Sequence, residues 1–200
     1  MDKLRKYLLI LTLLASVPAY GQLFNIKPGD ARGLFFTMGV GPRVAVGDLS
    51  YNHSMASGVE TMVSYTDNRR LPVFVYAKLQ FTNFPSEFVG ILSMPSFEVS
   101  SKVLSIQPGV RYFLPPISKQ VILLMPFVEG GLSLGLIFKK YQFNSVFKSQ
   151  YYDESVHFGF HAGFGVSIFL MDALISYNYY YRYQFLGFTL RVRIPIFIKI

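Results

Sequence analysis

From Phe188 to Ile200 every second residue is apolar: Phe188, Leu190, Val192, Ile194, Ile196, Ile198 and Ile200. The residues between them are Thr189, Arg191, Arg193, Pro195, Phe197 and Lys199, of which Arg191, Arg193 and Lys199 are charged. On a helix, apolar residues at a period of two would surround the axis, so this cannot be an amphipathic helix. On a strand, successive side chains point to opposite faces, which gives one oily face and one mostly polar face. Thirteen residues exceed the usual soluble strand of about 5–6 residues. They suit the ~9–11 residues that a tilted strand needs to cross a bilayer.

Seven earlier runs alternate in the same way. Their predicted spans are 34–46, 57–65, 72–83, 102–114, 121–138, 157–170 and 173–184. Leu34, Phe36, Met38 and Val40 oppose Thr37, Gly39, Gly41 and Arg43; Val73, Val75, Ala77, Leu79 and Phe81 oppose Phe74, Tyr76, Lys78 and Gln80. The fifth run is oily enough to suggest a membrane helix, but Pro126, Glu129, Gly130, Gly131 and Gly135 are poor interior helix residues. Alternation of Val128, Leu132, Leu134, Leu136 and Phe138 with Glu129, Gly131, Ser133 and Gly135 accounts for it better. The connections fall at 47–56, 66–71, 84–101, 115–120, 139–156, 171–172 and 185–187. The odd-numbered ones are mostly long and the even-numbered ones short, the pattern of an outer-membrane barrel with both chain ends in the periplasm.

The expected fold is therefore all-β: an eight-stranded antiparallel up-and-down transmembrane β-barrel over residues 33–200, preceded by a signal peptide. Lys3, Arg5 and Lys6, the apolar stretch from Tyr7 to Val17 and the small residues Ala19 and Gly21 mark residues 1–21 as that signal. Residues 22–32, with Pro28 and Gly29, form a linker. The chain is 52% hydrophobic and 15% charged, against roughly 25–35% charged residues on a surface built for water. A soluble lipid-binding barrel would turn its oily face inward. The other face here is glycine-rich and sparsely charged, which suits a crowded eight-strand interior and not a wetted exterior.

The absence of cysteine excludes disulfides and thiolate metal sites. The net charge of +8 comes from scattered residues, with no basic stripe of the kind that nucleic acid requires. Inside a barrel, charges must be paired or hydrated. The expected lumen network is structural and comprises Glu60, Lys78, Arg111, Glu129, His161, Tyr180, Arg182, Arg191 and Arg193. Counting from the turns sets Glu60 opposite Lys78, Arg182 near His161, Tyr180 against Gly163 and near Arg191, and Asn178 near Arg193. The excess of basic groups calls for water, an anion or a loop carboxylate. His157 and His161 share a face but stand about 13 Å apart along a strand at ~3.3 Å per residue, too far to share a metal ion. His53, near Ser54 and Asp48 in the first connection, has no more than sequence proximity to suggest a catalytic triad. No catalytic residue, cofactor or metal is expected.

Gly109-Val110-Arg111-Tyr112-Phe113-Leu114-Pro115 and Pro126-Phe127-Val128-Glu129-Gly130-Gly131-Leu132-Ser133-Leu134-Gly135 form a strand ending in an aromatic pair, a proline turn and a proline-led glycine-rich strand. This resembles the small outer-membrane β-barrel proteins of Bacteroidetes, broadly similar to the adhesion-type eight-stranded barrels. The resemblance implies a non-enzymatic outer-membrane protein whose outer loops carry interaction or envelope roles. Its implied partners are outer-membrane lipid, the barrel-assembly machinery during biogenesis and an unknown surface ligand. The rival of another class is a lipid A acyltransferase or deacylase. A deacylase-like His-x-Ser element is not found at His161, which is followed by Ala162 and Gly163.

Overall fold

The computed structural model describes residues 32–67, 71–89, 97–115, 124–143 and 150–199. The expected signal peptide and all but the last residue of the linker lie outside the described residues.

Eight strands follow one another: β1 (Arg32–Val46), β2 (Met55–Asp67), β3 (Leu71–Val89), β4 (Phe97–Phe113), β5 (Leu124–Phe143), β6 (Gln150–Ile168), β7 (Met171–Tyr180) and β8 (Tyr183–Lys199). Each pairs antiparallel with the next, and β8 returns to β1, so the barrel is closed. Closure leaves no open sheet edge along the shared length. The stretch weighed as a membrane helix is β5, a continuous strand. No helix among the described residues is long and apolar enough to cross a membrane.

The side chains are distributed inversely to those of a water-soluble protein, in which ionised groups are almost never fully buried. Lys78, Arg191 and Glu129 are 1%, 1% and 5% exposed, whereas Leu132, Phe158 and Leu190 are 72%, 81% and 62% exposed. The oily face of every strand points outward. On β5 the outward belt runs from Val128 to Phe138 and ends at Lys140; on β4 it runs from Leu104 to Tyr112 and ends at Lys102. Phe160 stacks on Tyr179 on this outer wall, with ring centroids 5.0 Å apart.

Strand lengths depart from the expectation. Strands β3, β5 and β6 have 19, 20 and 19 residues, and much of 84–101 and 139–156, expected as loops, is paired strand. About nine residues beyond a ~9–11-residue crossing amount to about 30 Å along the strand at ~3.3 Å per residue. The excess lies at the end opposite to where β1 begins and β8 finishes. There β3 to β6 continue as a sheet of four strands beyond the belt, with Val89 opposite Phe97, Phe97 opposite Phe143 and Gln142 opposite Gln150.

Three registers also differ, each for a local reason. Thr66 pairs with Phe74 but Asp67 pairs with Leu71, so a bulge takes up two extra residues of β3. Counting from the turn therefore misses by two: Glu60 faces Gln80, and Lys78 faces Met62. The β6–β7 turn is Phe169-Leu170, with Phe169 in the left-handed region at φ 56. A bulky residue there gives no turn signal, and the pairs become His161 with Asn178 and Gly159 with Tyr180. The β7–β8 turn is Tyr181-Arg182, with Arg182 at φ 64, and not 185–187. Gly187 lies inside β8, where an added Cβ would stand 2.9 Å from Ser176 Oγ and 3.1 Å from Arg43 Cδ. Its glycine serves close packing and not a turn. Consequently Arg191 faces Asp172, and Asn178 faces Phe185.

Candidate functional site

The lumen is filled in layers, and alternation along the strands decides which side chains enter it. At the end where β1 begins, Phe35, Phe74, Phe113 and Phe127 form a chain of ring contacts, with centroids 5.8, 5.1 and 5.6 Å apart. Arg111 Cζ lies 4.3 Å from the Phe127 ring centroid, and Arg193 Cζ lies 5.2 Å from that of Phe113. Cations over ring faces in a site shielded from water are attracted by the ring quadrupole.

Above this floor runs a chain of alternating charge. Arg43 Nη2 donates to Glu60 Oε2 at 3.4 Å, and Arg191 Nε donates to the other Glu60 oxygen. The Arg191 guanidinium continues to Glu129 through Nη1 at 2.7 Å and Nη2 at 3.0 Å. Glu129 also receives Arg111 Nε at 3.1 Å and Nη2 at 2.7 Å, and Lys78 Nζ at 3.4 Å. Arg111 Nη1 then reaches Asp172 at 2.8 Å, and Arg193 Nη2 meets both Asp172 oxygens at 2.8 Å. The two-pronged contacts exploit the guanidinium fork, which matches carboxylate geometry in a way an ammonium cannot. Five basic and three acidic groups leave the chain at a net +2.

The next layer is neutral and polar. Tyr76 Oη lies 2.7 Å from His161 Nε2, and Ser133 Oγ lies 3.0 Å from His161 Nδ1. Gln107 Nε2 donates to Asn178 Oδ1 at 3.1 Å and to Tyr180 Oη at 2.9 Å. The far mouth is apolar: Ala45, Ala56, Phe84, Val103, Ile137, Tyr180, Tyr183 and Phe185 pack with Leu49 from the short 3-10 turn Gly47–Tyr51. His53 follows that turn inward, with Nε2 2.9 Å from Ser101 Oγ and its ring 5.3 Å from that of Phe84.

Of the network read from sequence, Glu60, Lys78, Arg111, Glu129, Arg191 and Arg193 meet in the charge chain, and His161 and Tyr180 lie in the neutral layer. Arg182 does not belong: it is exposed at the β7–β8 turn, with its Cζ 5.3 Å from the Tyr181 ring centroid. Tyr180 contacts Gln107 and Phe185, with the Phe185 ring 6.2 Å away, and its strand neighbours are Gly159 and Tyr183. Two members were missed. Arg43 stands on the polar face by alternation and joins the charge chain through Glu60. Asp172 falls in the expected connection 171–172, but the turn comes two residues earlier and leaves it inside β7. Asp172, a residue of β7, offsets part of the basic surplus through Arg111 and Arg193, and the chain still stands at a net +2. His157 bonds to Ser155 on its own strand at 3.0 Å and sits beside Tyr183, apart from His161. Among the described residues no group of three or more His, Cys, Asp or Glu side chains could hold a metal ion.

No family model matches the chain, and no curated protein matches it. Among solved structures the chain is similar to Ail, the attachment invasion locus protein of Yersinia pestis, at 11% identity and TM-score 0.47, covering 82% of this chain and 99% of that one. It is similar to Neisserial surface protein A at 17% identity and TM-score 0.43, covering 82% and 97%. It is also similar to the N-terminal β-barrel domain of Pseudomonas aeruginosa OprF at 13% identity and TM-score 0.42, covering 82% and 99%. At these identities the likeness concerns the fold alone.

Proposed function

We propose that this chain is an integral outer-membrane barrel without enzymatic activity, whose working surface is the sheet that β3 to β6 raise beyond the membrane. The observation that carries the reading is the inverted distribution of side chains. A closed wall with an apolar outside and a charged, paired inside suits hydrocarbon without and a sealed polar core within. The lumen is packed with side chains at both mouths, which argues for anchoring and against transport. The extended strands place an ordered surface where a loop-bearing barrel would place loops. Interaction or an envelope role is assigned to that surface. Outer-membrane lipid would cover the belt, and the barrel-assembly machinery would insert the chain. Kinship with the small barrel proteins of Bacteroidetes is part of the same proposal.

Fractionation tests it. The protein should pellet with membranes, resist extraction by carbonate and require detergent for release. It should also migrate faster on a gel before boiling than after. Recovery from the soluble fraction without detergent would sink the membrane reading.

A further inference from the structure

The raised sheet has two outer edges, and they are not alike. On one side β3 pairs with β2 only as far as Asn83 opposite Ser57. Beyond it stands Pro85, and the register with β4 shifts between Phe84 and Glu87. Proline and irregularity are the usual ways of blunting an edge. On the other side β6 pairs with β5 without interruption from Gln150 to Ile168. Its pairing with β7 begins only at Gly159 opposite Tyr180. Among the described residues, Gln150 to Phe158 therefore has no strand on that side, and the segment holds neither proline nor bulge.

Such an edge is a ready template for another strand, and its own side chains select which. Asp153 and Glu154 are exposed at its middle. The full-length pairing of this segment with a second copy would set Glu154 opposite Glu154, and slipping it by two would set Asp153 opposite Asp153. Like charges directly opposite are destabilising in a strand pair. Of the two acids, only Asp153 has a cation directly across from it on the neighbouring strand. Glu154 lies across from Phe138, and the lysine across from Asp153, Lys139, has its Nζ 4.7 Å from the Tyr183 ring. The outward-facing flanks are Tyr152, Val156 and Phe158, exposed by 62%, 48% and 81%.

We infer that the β6 edge, Gln150 to Phe158, is a strand-addition site for an extended segment of another protein, with basic residues opposite Asp153 and Glu154 and apolar residues beside them. Main-chain hydrogen bonds would supply the affinity and the charged pairs the choice of partner. The inference rests on the reading of the raised sheet as a surface outside the membrane.

The test uses the purified full chain in lipid nanodiscs. The probes are three synthetic nine-residue peptides: a central Lys-Lys pair flanked by alternating valine and threonine, the same peptide with a central Glu-Glu pair, and the lysine peptide with a proline next to the pair. The lysine peptide should bind, with backbone amide shifts concentrated at 150–158, and the other two should not. A chain carrying Asp153→Lys and Glu154→Lys should reverse the preference by about tenfold, since both cross-strand charge pairs change sign. Failure of the lysine peptide to bind, an unchanged preference in the reversed variant, or shifts centred elsewhere would overturn the inference. So would self-association of the unaltered chain through β6, which would make a second copy the occupant. A spin label at position 154 separates this inference from the reading beneath it. Collisional access to a lipid-soluble relaxant there would defeat the surface reading itself, whereas water access without peptide binding would defeat only the edge.

Discussion

Glu129 is the most heavily committed carboxylate in the lumen, and Glu129→Gln tests whether the charge chain holds the barrel. It receives contacts from Arg191, Arg111 and Lys78, five hydrogen bonds between 2.7 and 3.4 Å. Glutamine keeps the shape but removes the charge and places a donor where an acceptor stood. The lumen would then go from a net +2 to a net +3. Lys78 would lose the carboxylate that its Nζ contacts at 3.4 Å. Summing five charged hydrogen bonds would overstate the effect, because contacts in one network are not additive. The appropriate scale is that of breaking a buried ion pair, about 3–5 kcal/mol. Unfolding in urea from lipid vesicles, followed by loss of the fast-migrating gel form, would measure it. Adding Lys78→Met removes the stranded cation, keeps much of its volume and should recover a substantial part of the loss. Glu129→Gln within about 1 kcal/mol of the unaltered chain, well below the buried-pair range, would refute the reasoning. So would a double variant no better than the single one, since the surplus cation would then not be the source of the loss.

Val192→Arg and Arg191→Gln should both destabilise the barrel in the same assay. The first places a charge on the lipid face at about 2–4 kcal/mol near the midplane. The second leaves Glu60 and Glu129 without their shared partner and belongs to the buried-pair range of about 3–5 kcal/mol; a silent Val192→Arg would mean the faces are reversed. Gly58→Ala should destabilise by about 1–3 kcal/mol of overpacking, because its Cβ would stand 2.7 Å from Arg43 Nε; a neutral result would mean that Arg43 is free to move. Purified protein in a planar bilayer should show no stable, large single-channel current, because both mouths and the middle of the lumen are packed. The chain lacks cysteine, so single replacements report topology cleanly. Tyr51→Cys should react with an impermeant maleimide on intact cells and Asp67→Cys should not, and the reverse pattern would invert the barrel.

The sequence by itself determined the class of the fold and the two faces of its wall. Both follow from a period of two, which needs no knowledge of neighbours: Leu190, Val192 and Ile194 face out and Thr189, Arg191 and Arg193 face in, whichever strand lies beside them. The same alternation placed Glu60, Lys78, Arg111 and Glu129 in the lumen. Only the tertiary structure decided which of these charges meet. Pairing depends on register, and register was set here by a bulge opposite Thr66-Asp67, where Pro72 and Val73 are the extra residues, and by a left-handed Phe169 and a left-handed Arg182, neither of which carries a glycine or proline signal. The strongest turn-like signal in the last hairpin, Gly187, marks a crowded packing position beside Arg43 instead. A displaced turn put Arg182 inside and hid Asp172 in a connection, and the true turns exchange those two. Strand length was also illegible. Alternation grows weaker beyond the belt, where neither face is bathed in lipid, so polar residues such as Asp153 and Glu154 read as loop. Cross-strand pairing with β5 makes them strand, and a shorter β7 leaves their other edge open.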